Sequence, residues 1–182
     1  MNLFLWGALP YIAFTFLIVG TLVRFFYFER NWTTKSSQFL EKKQLRIANP
    51  LFHFGLLCVI GGHVVGVLIP KTWTAAIGIN DHMYHQGALY MGAVAGLIFI
   101  VGFLLLMKRR FTVAELKVNT SRLDKWLYLF LTLAIFSGMA GTLLNASGFF
   151  DYRVSIGPWF RSLLAFMPDP SLMEGVPFMF KF

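Results

Sequence analysis

NPLFHFGLLCVIGGHVVGVLIP, residues 49–70, decides how the rest of this chain is read. It holds no Asp, Glu, Lys or Arg, and its length matches the roughly 20 apolar residues that carry one helix across a bilayer. Lys42, Lys43 and Arg46 precede it and Pro70 ends it. Past Asn49 at its edge, the strongly polar side chains are the imidazoles of His53 and His63, so the segment predicts a transmembrane helix at residues 49–69 carrying two polar groups at membrane depth.

The same pattern recurs on either side. Residues 9–28 are apolar except for Arg24, residues 87–107 run uncharged into Lys108, Arg109 and Arg110, and residues 126–145 form a fourth apolar segment. The expectation is an all-α polytopic bundle in one domain, with four spans present. Residues 146–175 hold three prolines, several glycines and scattered charges, and they predict a loop that lies on or dips into the membrane surface. Residues 176–182 read as the opening of a fifth helix, so the natural chain is expected to continue past Phe182.

Composition agrees. Of 182 residues, 57% are hydrophobic and 13% charged, about half the charged share of a soluble domain, too little to cover a core in water. The net charge of +8 does not point to nucleic acid, because the basic residues sit in short loops between spans. Arg24 with the connection through Arg46 holds six Lys and Arg, and residues 108–125 hold six more, leaving four of the sixteen elsewhere. The positive-inside rule assigns the twelve to the cytoplasm and the N-terminus to the outside of a cell membrane. The N-terminal run lacks the basic n-region of a cleaved signal and reads as a retained helix. Cys58 is alone, which excludes an internal disulfide and a cysteine-built cluster.

A single intramembrane histidine is as often a helix–helix hydrogen bond as a ligand. Two on one helix are harder to assign to packing. Ten residues rise about 15 Å and turn about 80° net, so both imidazoles share a side of the helix, one in each leaflet. They are too far apart for one zinc ion. They suit two stacked haems b, each taking one imidazole. Gly55, Gly61, Gly62 and Gly66, with Gly92, Gly96 and Gly102 on the third span, leave room for a flat macrocycle. Close packing by the pairs Gly62/Gly66 and Gly92/Gly96 explains them equally. Arg24, Arg109 and Arg110 are candidates for haem propionates, or for snorkelling to lipid phosphates. His82 and His85, in DHMYHQG at the mouth of the third span, mark an exposed interface or a place where a quinone carbonyl or a proton is received.

The segments PYIAF (10–14), SSQFL (36–40), residues 49–71 with Leu-Phe-His and Gly-His-x-x-Gly, LLLMKRRF (104–111) and GVPFMFKF (175–182) give the whole chain a resemblance to a known family. It resembles the gamma subunit of respiratory membrane-bound nitrate reductase, a di-haem cytochrome b. The resemblance implies five helices, with electrons passing from quinol (menaquinol or ubiquinol) to an iron–sulfur subunit and a molybdenum catalytic subunit in the cytoplasm. His63 matches a ligand of the outer haem, His53 a ligand of the haem nearer the cytoplasm, and Gly62 a position linked with quinol. The family's remaining axial histidines lie on the fifth helix, expected beyond Phe182. Some members carry lysines near the quinol where this chain reads His82-Met83-Tyr84-His85-Gln86.

Nitrate reduction itself would then take place in another subunit. The rival readings are a cytochrome b anchor of another quinone-linked oxidoreductase and a haem-free membrane assembly protein. A secondary transporter is disfavoured because the spans lack carboxylates.

Overall fold

A computed structural model describes residues 2–27, 40–146, 151–177 and 181. Among these the protein is helical with no strand: α1 (Leu9–Tyr27), α2 (Lys43–Leu68), α3 (Lys71–Ala76), α4 (Asp81–Thr112), α5 (Ala114–Val118), α6 (Arg122–Ala146) and α7 (Ile156–Leu164). A π-helical turn, Phe4–Ala8, leads into α1, and a 3-10 turn, Pro170–Met173, follows α7. Four helical stretches are long and apolar enough to cross a membrane: Phe4–Tyr27, Lys43–Leu68, Asp81–Thr112 and Arg122–Ala146. They match the four expected spans, so the chain is a multi-pass helical membrane protein. Most of the expected fifth-helix opening, including residues 178–180 and 182, lies outside the described residues.

All four spans are longer than their apolar cores suggested, α4 most of all. α4 has 32 residues, about 48 Å of helix against roughly 30 Å of hydrocarbon. Its end turns therefore stand in the headgroup layers, where polar caps are available. Asn80 caps the start by accepting from the Met83 N–H at 2.8 Å, and Arg109 and Arg110 sit in the last turn against the helix dipole. α6 begins with a reciprocal cap, Ser121 N–H to Asp124 at 2.9 Å and Asp124 N–H to Ser121 at 3.1 Å. α2 begins six residues before the apolar stretch and carries Pro50 in its interior. The short helices α3 and α5 occupy loops that hydropathy alone leaves featureless.

The tightest packing joins antiparallel α2 and α4. In lipid, apolar surface gives helices little reason to associate, and close backbone approach through glycine supplies the contact instead. A methyl on Gly55 would lie 2.5 Å from the Phe99 backbone nitrogen, and one on Gly102 would collide with the Phe52 backbone. Phe52 packs beside this seam on Phe99 and Phe103, with ring centroids 5.2 and 6.4 Å away. The expected packing pairs are therefore not the ones that touch another helix backbone. A methyl on Gly62 or Gly92 would meet no atom within 4 Å, one on Gly96 would reach only Met139 at 3.8 Å, and Gly66 faces Tyr152.

The other spans attach more loosely. Tyr128 of α6 packs between Phe103, at a tilt, and Phe111, edge-on. α1 has no buried residue and hangs from α7 through Tyr11 Oη donating to Leu163 O at 2.8 Å, and through Trp159 Nε1 donating to Trp6 O at 2.8 Å. α7 itself lies against the end of α2, and in the described residues 151–175 the longest helix has nine residues, too short to cross a bilayer.

Gly102→Val should therefore lower the thermal stability of the detergent-solubilised protein by the equivalent of about 1–3 kcal/mol, the usual cost of overpacking. Gly62→Ala should leave Tm unchanged. Equal losses in both variants would contradict this seam.

Candidate functional site

α2 positions both intramembrane histidines. At about 100° per residue, His53 lies about 160° round the helix from Gly55, and His63 about 80°. The seam with α4 thus turns His53 away from α4 and sets His63 at the edge of the interface. Both side chains are exposed on the protein surface. His53 Nδ1 lies 2.9 Å from the carbonyl oxygen of Asn49, one turn earlier. A carbonyl only accepts, so Nδ1 carries the hydrogen, which in the neutral imidazole leaves the lone pair on Nε2. That is the tautomer of a histidine ligand whose second nitrogen is held by the backbone. His63 has no hydrogen-bond partner among the described residues, an expensive arrangement inside an apolar helix unless something else binds it.

Room exists next to these groups. Continuing the Gly55–Phe99 register seven residues along brings Gly62 level with Gly92, where a methyl on either would meet nothing within 4 Å. Gly61 is equally open. The two backbones that touch at Gly55 and Gly102 leave space at the level of His63. Cys58 lies on the exposed surface of α2.

The arginines at the basic end of α4 have carboxylate partners that sequence reading did not foresee. Arg109 is buried, donating from Nε to Glu41 Oε2 at 2.8 Å and from Nη2 to the Glu41 carbonyl at 2.7 Å. Arg110 donates from Nη2 to Asp124 Oδ2 at 2.7 Å. Together they fasten α4 to the start of α2 and the start of α6. The Gln44 N–H, with help from the Arg109 guanidinium and the Leu45 N–H, holds the Glu41 carboxyl below its ordinary range against the opposing effect of burial. Arg24 stands in the last turn of α1, on a separate helix.

At the opposite end the structure assembles a second polar group. Arg161 Nη1 donates to Val67 O at 2.6 Å and Arg153 Nη2 to Ile69 O at 3.3 Å, so two arginines satisfy carbonyls at the end of α2. Lys71 Nζ reaches Asp151 at 2.5 Å and Asp81 at 3.3 Å, and the Asp151 hydrogen bond, with Asp81 behind it, raises the Lys71 pKa. His82 is exposed in the first turn of α4 and His85 is half-buried one turn on, with Tyr84 between them. The residues missed by sequence reading are Asp151, Tyr152 and Arg153. Their signal was an acid and a base flanking a tyrosine near the start of the 146–175 loop, on the same side as Asp81.

Two histidines on one span, His63 beside glycines that leave space, sit in a multi-pass helical membrane protein. Residues 2–182 match the nitrate reductase gamma subunit family, and the chain belongs to that family. It is 46% identical over 179 residues to the nitrate reductase gamma chain of Bacillus subtilis, covering 98% of this chain and 80% of that one. It is 38% identical over 179 residues to the nitrate reductase-like protein NarX of Mycobacterium tuberculosis, covering 97% of this chain but 28% of that protein. The respiratory nitrate reductase 1 gamma chain of Escherichia coli is 27% identical over 183 residues, spanning all of this chain and 81% of its own length.

The Arg109–Glu41 pair yields a signed prediction. A carboxyl whose folded pKa is depressed stabilises the fold above its ordinary pKa of 4.5, and that contribution fades as pH falls through the folded value. Arg109→Gln should lower Tm at neutral pH, and the gap from wild type should shrink as pH drops below 4.5. A gap that stays constant with pH would show that the pair contributes nothing through charge.

Proposed function

We propose that this chain is the haem b membrane subunit of a respiratory nitrate reductase, taking electrons from quinol and delivering them to iron–sulfur and molybdenum subunits at the cytoplasmic face. The observation that carries the reading is the state of the two α2 histidines. His53 is held through Nδ1 by the Asn49 carbonyl with Nε2 free to ligate, and His63 has no partner among the described residues and stands beside open space at Gly62. Both fit an axial role toward haem, which when bound supplies one-electron redox chemistry within the membrane. The second axial ligand of each haem we assign to the fifth helix implied by the family resemblance.

The residues divide the work by depth. His63, on the outward half of α2, holds the haem next to the quinol, and Gly62 leaves the quinol room. His53, one leaflet deeper, holds the haem nearer the partner subunits. Arg109 and Arg110 are engaged by Glu41 and Asp124, so docking of the iron–sulfur subunit falls to exposed cations of the same end, Lys43, Lys108, Lys117 and Lys125 among them. The twelve-to-four distribution of basic residues supports the orientation.

In the full complex, His63→Ala should remove the outer haem and abolish quinol-driven reduction of the remaining one. His53→Ala should remove the inner haem while quinol still reduces the outer. Haem content and haem absorption in membranes read both, and retention of two haems in both variants would refute ligation.

Orientation is tested separately by cysteine accessibility, with Cys58 blocked. A cysteine replacing Ser36 should react only from the cytoplasmic side and one replacing Ser155 only from outside, and the reverse pattern would overturn the topology.

A further inference from the structure

The end of the molecule near His63 contains polar groups that the electron path does not use. Arg153 is 6% exposed, and its guanidinium carbon sits 3.6 Å above the centre of the Tyr84 ring. Its Nη2 is spent on Ile69 O at 3.3 Å and Thr74 Oγ1 at 3.2 Å, while Nε and Nη1 have no hydrogen-bond partner among the described residues. Buried donors of a cation are not left unmet without cost, and a water or a ligand oxygen is what satisfies them. The Tyr84 side chain lies close enough to Tyr152 to help raise the Tyr152 pKa. The Tyr152 phenol in turn covers Gly66, where a methyl would lie 2.9 Å from its oxygen. Gly66 is one turn along α2 from the open position at Gly62. In the other direction Asp81 Oδ1 lies 3.9 Å from Arg153 Nη1, and Lys71 ties Asp81 to Asp151, both carboxylates being exposed. Polar groups therefore run from the space beside His63 to the surface.

We propose that Tyr152 and Tyr84 form the proton exit of the quinol site, relaying protons from a hydroquinone held beside Gly62 and His63 to the Asp81 and Asp151 carboxylates and on to water. The proposal rests on the quinol-oxidising reading above. Oxidation of one hydroquinone breaks two O–H bonds and yields a quinone, two electrons and two protons. The electrons enter the haem path, and the protons leave one at a time through the phenols. Each phenol accepts on its oxygen as it releases its own hydrogen onward, so neither is changed by a transfer. Burial, reinforced by Tyr84 and opposed by the Arg153 charge, pushes the Tyr152 pKa up to about 12, which keeps it a neutral group able to donate and accept. Arg153 is a positioning residue that holds the Tyr84 ring and offers its unmet donors to a water or substrate oxygen.

The test uses the whole complex in membrane vesicles, with menadiol as the hydroquinone and rapid-mixing measurement of haem reduction in H2O and D2O. Tyr152→Phe and Tyr84→Phe each remove one hydroxyl and keep the ring. Both should retain haem and an unchanged menadiol KM. Haem reduction should slow on the order of 100-fold, with a larger solvent isotope effect. Wild-type rates and isotope effects in both variants would overturn the proposal. So would slowing confined to His82→Gln or His85→Gln, which would route the protons through those histidines. Should Tyr152→Phe lose haem, Tyr84→Phe decides alone. A wild-type complex whose haem menadiol fails to reduce would defeat the quinol reading itself, a result distinct from a failed relay.

Discussion

The contact between the α2 and α4 backbones at Gly55 and Gly102 constrains everything else. Within a bilayer the lipid tails are as apolar as leucine, so burying apolar surface does not by itself drive helices together. Removing two side chains brings the backbones into contact and lets Phe52, Phe99 and Phe103 close round the seam. One consequence is rotational. Fixing Gly55 against α4 fixes the direction of every other α2 side chain, and so sends His53 to the lipid side and His63 to the interface edge. The other is spatial, because contact at one end leaves Gly62 and Gly92 facing open room.

Charge then fastens the ends where headgroups and water allow it. At the basic end Glu41 meets the first amides of α2 and the buried Arg109, while Asp124 serves both the cap of α6 and Arg110. At the other end Arg153 and Arg161 satisfy α2 carbonyls that would otherwise lack partners. Acids at helix starts and arginines at helix ends also follow the helix dipoles. The apolar middle carries no such ties, which makes the two histidines conspicuous there.

Much of this was legible in the sequence. Uncharged runs bounded by Lys and Arg located four spans, because the cost of burying charge in hydrocarbon leaves few alternatives. His53 and His63 stood out for the same reason. Helix ends were harder to place, since α2 and α4 extend into headgroup layers where hydropathy no longer discriminates. The packing glycines were misassigned because spacing along one helix says nothing about which face meets the partner. Gly62/Gly66 and Gly55 differ only in where α4 happens to cross. The cluster of Tyr84, Tyr152 and Arg153 was hidden by distance, its members coming from loops and helix ends nearly seventy residues apart.

The central claim is that the α2 imidazoles are haem ligands, and the most direct measurement is on the intact purified complex. Pyridine haemochrome analysis, paired with electron paramagnetic resonance of the oxidised protein, reports how many haems b each chain holds and how each iron is ligated. The account predicts two haems b per chain, both low-spin with two imidazole ligands. A preparation with intact partner subunits but no haem b in this chain, or with haem lacking histidine ligation, would contradict it.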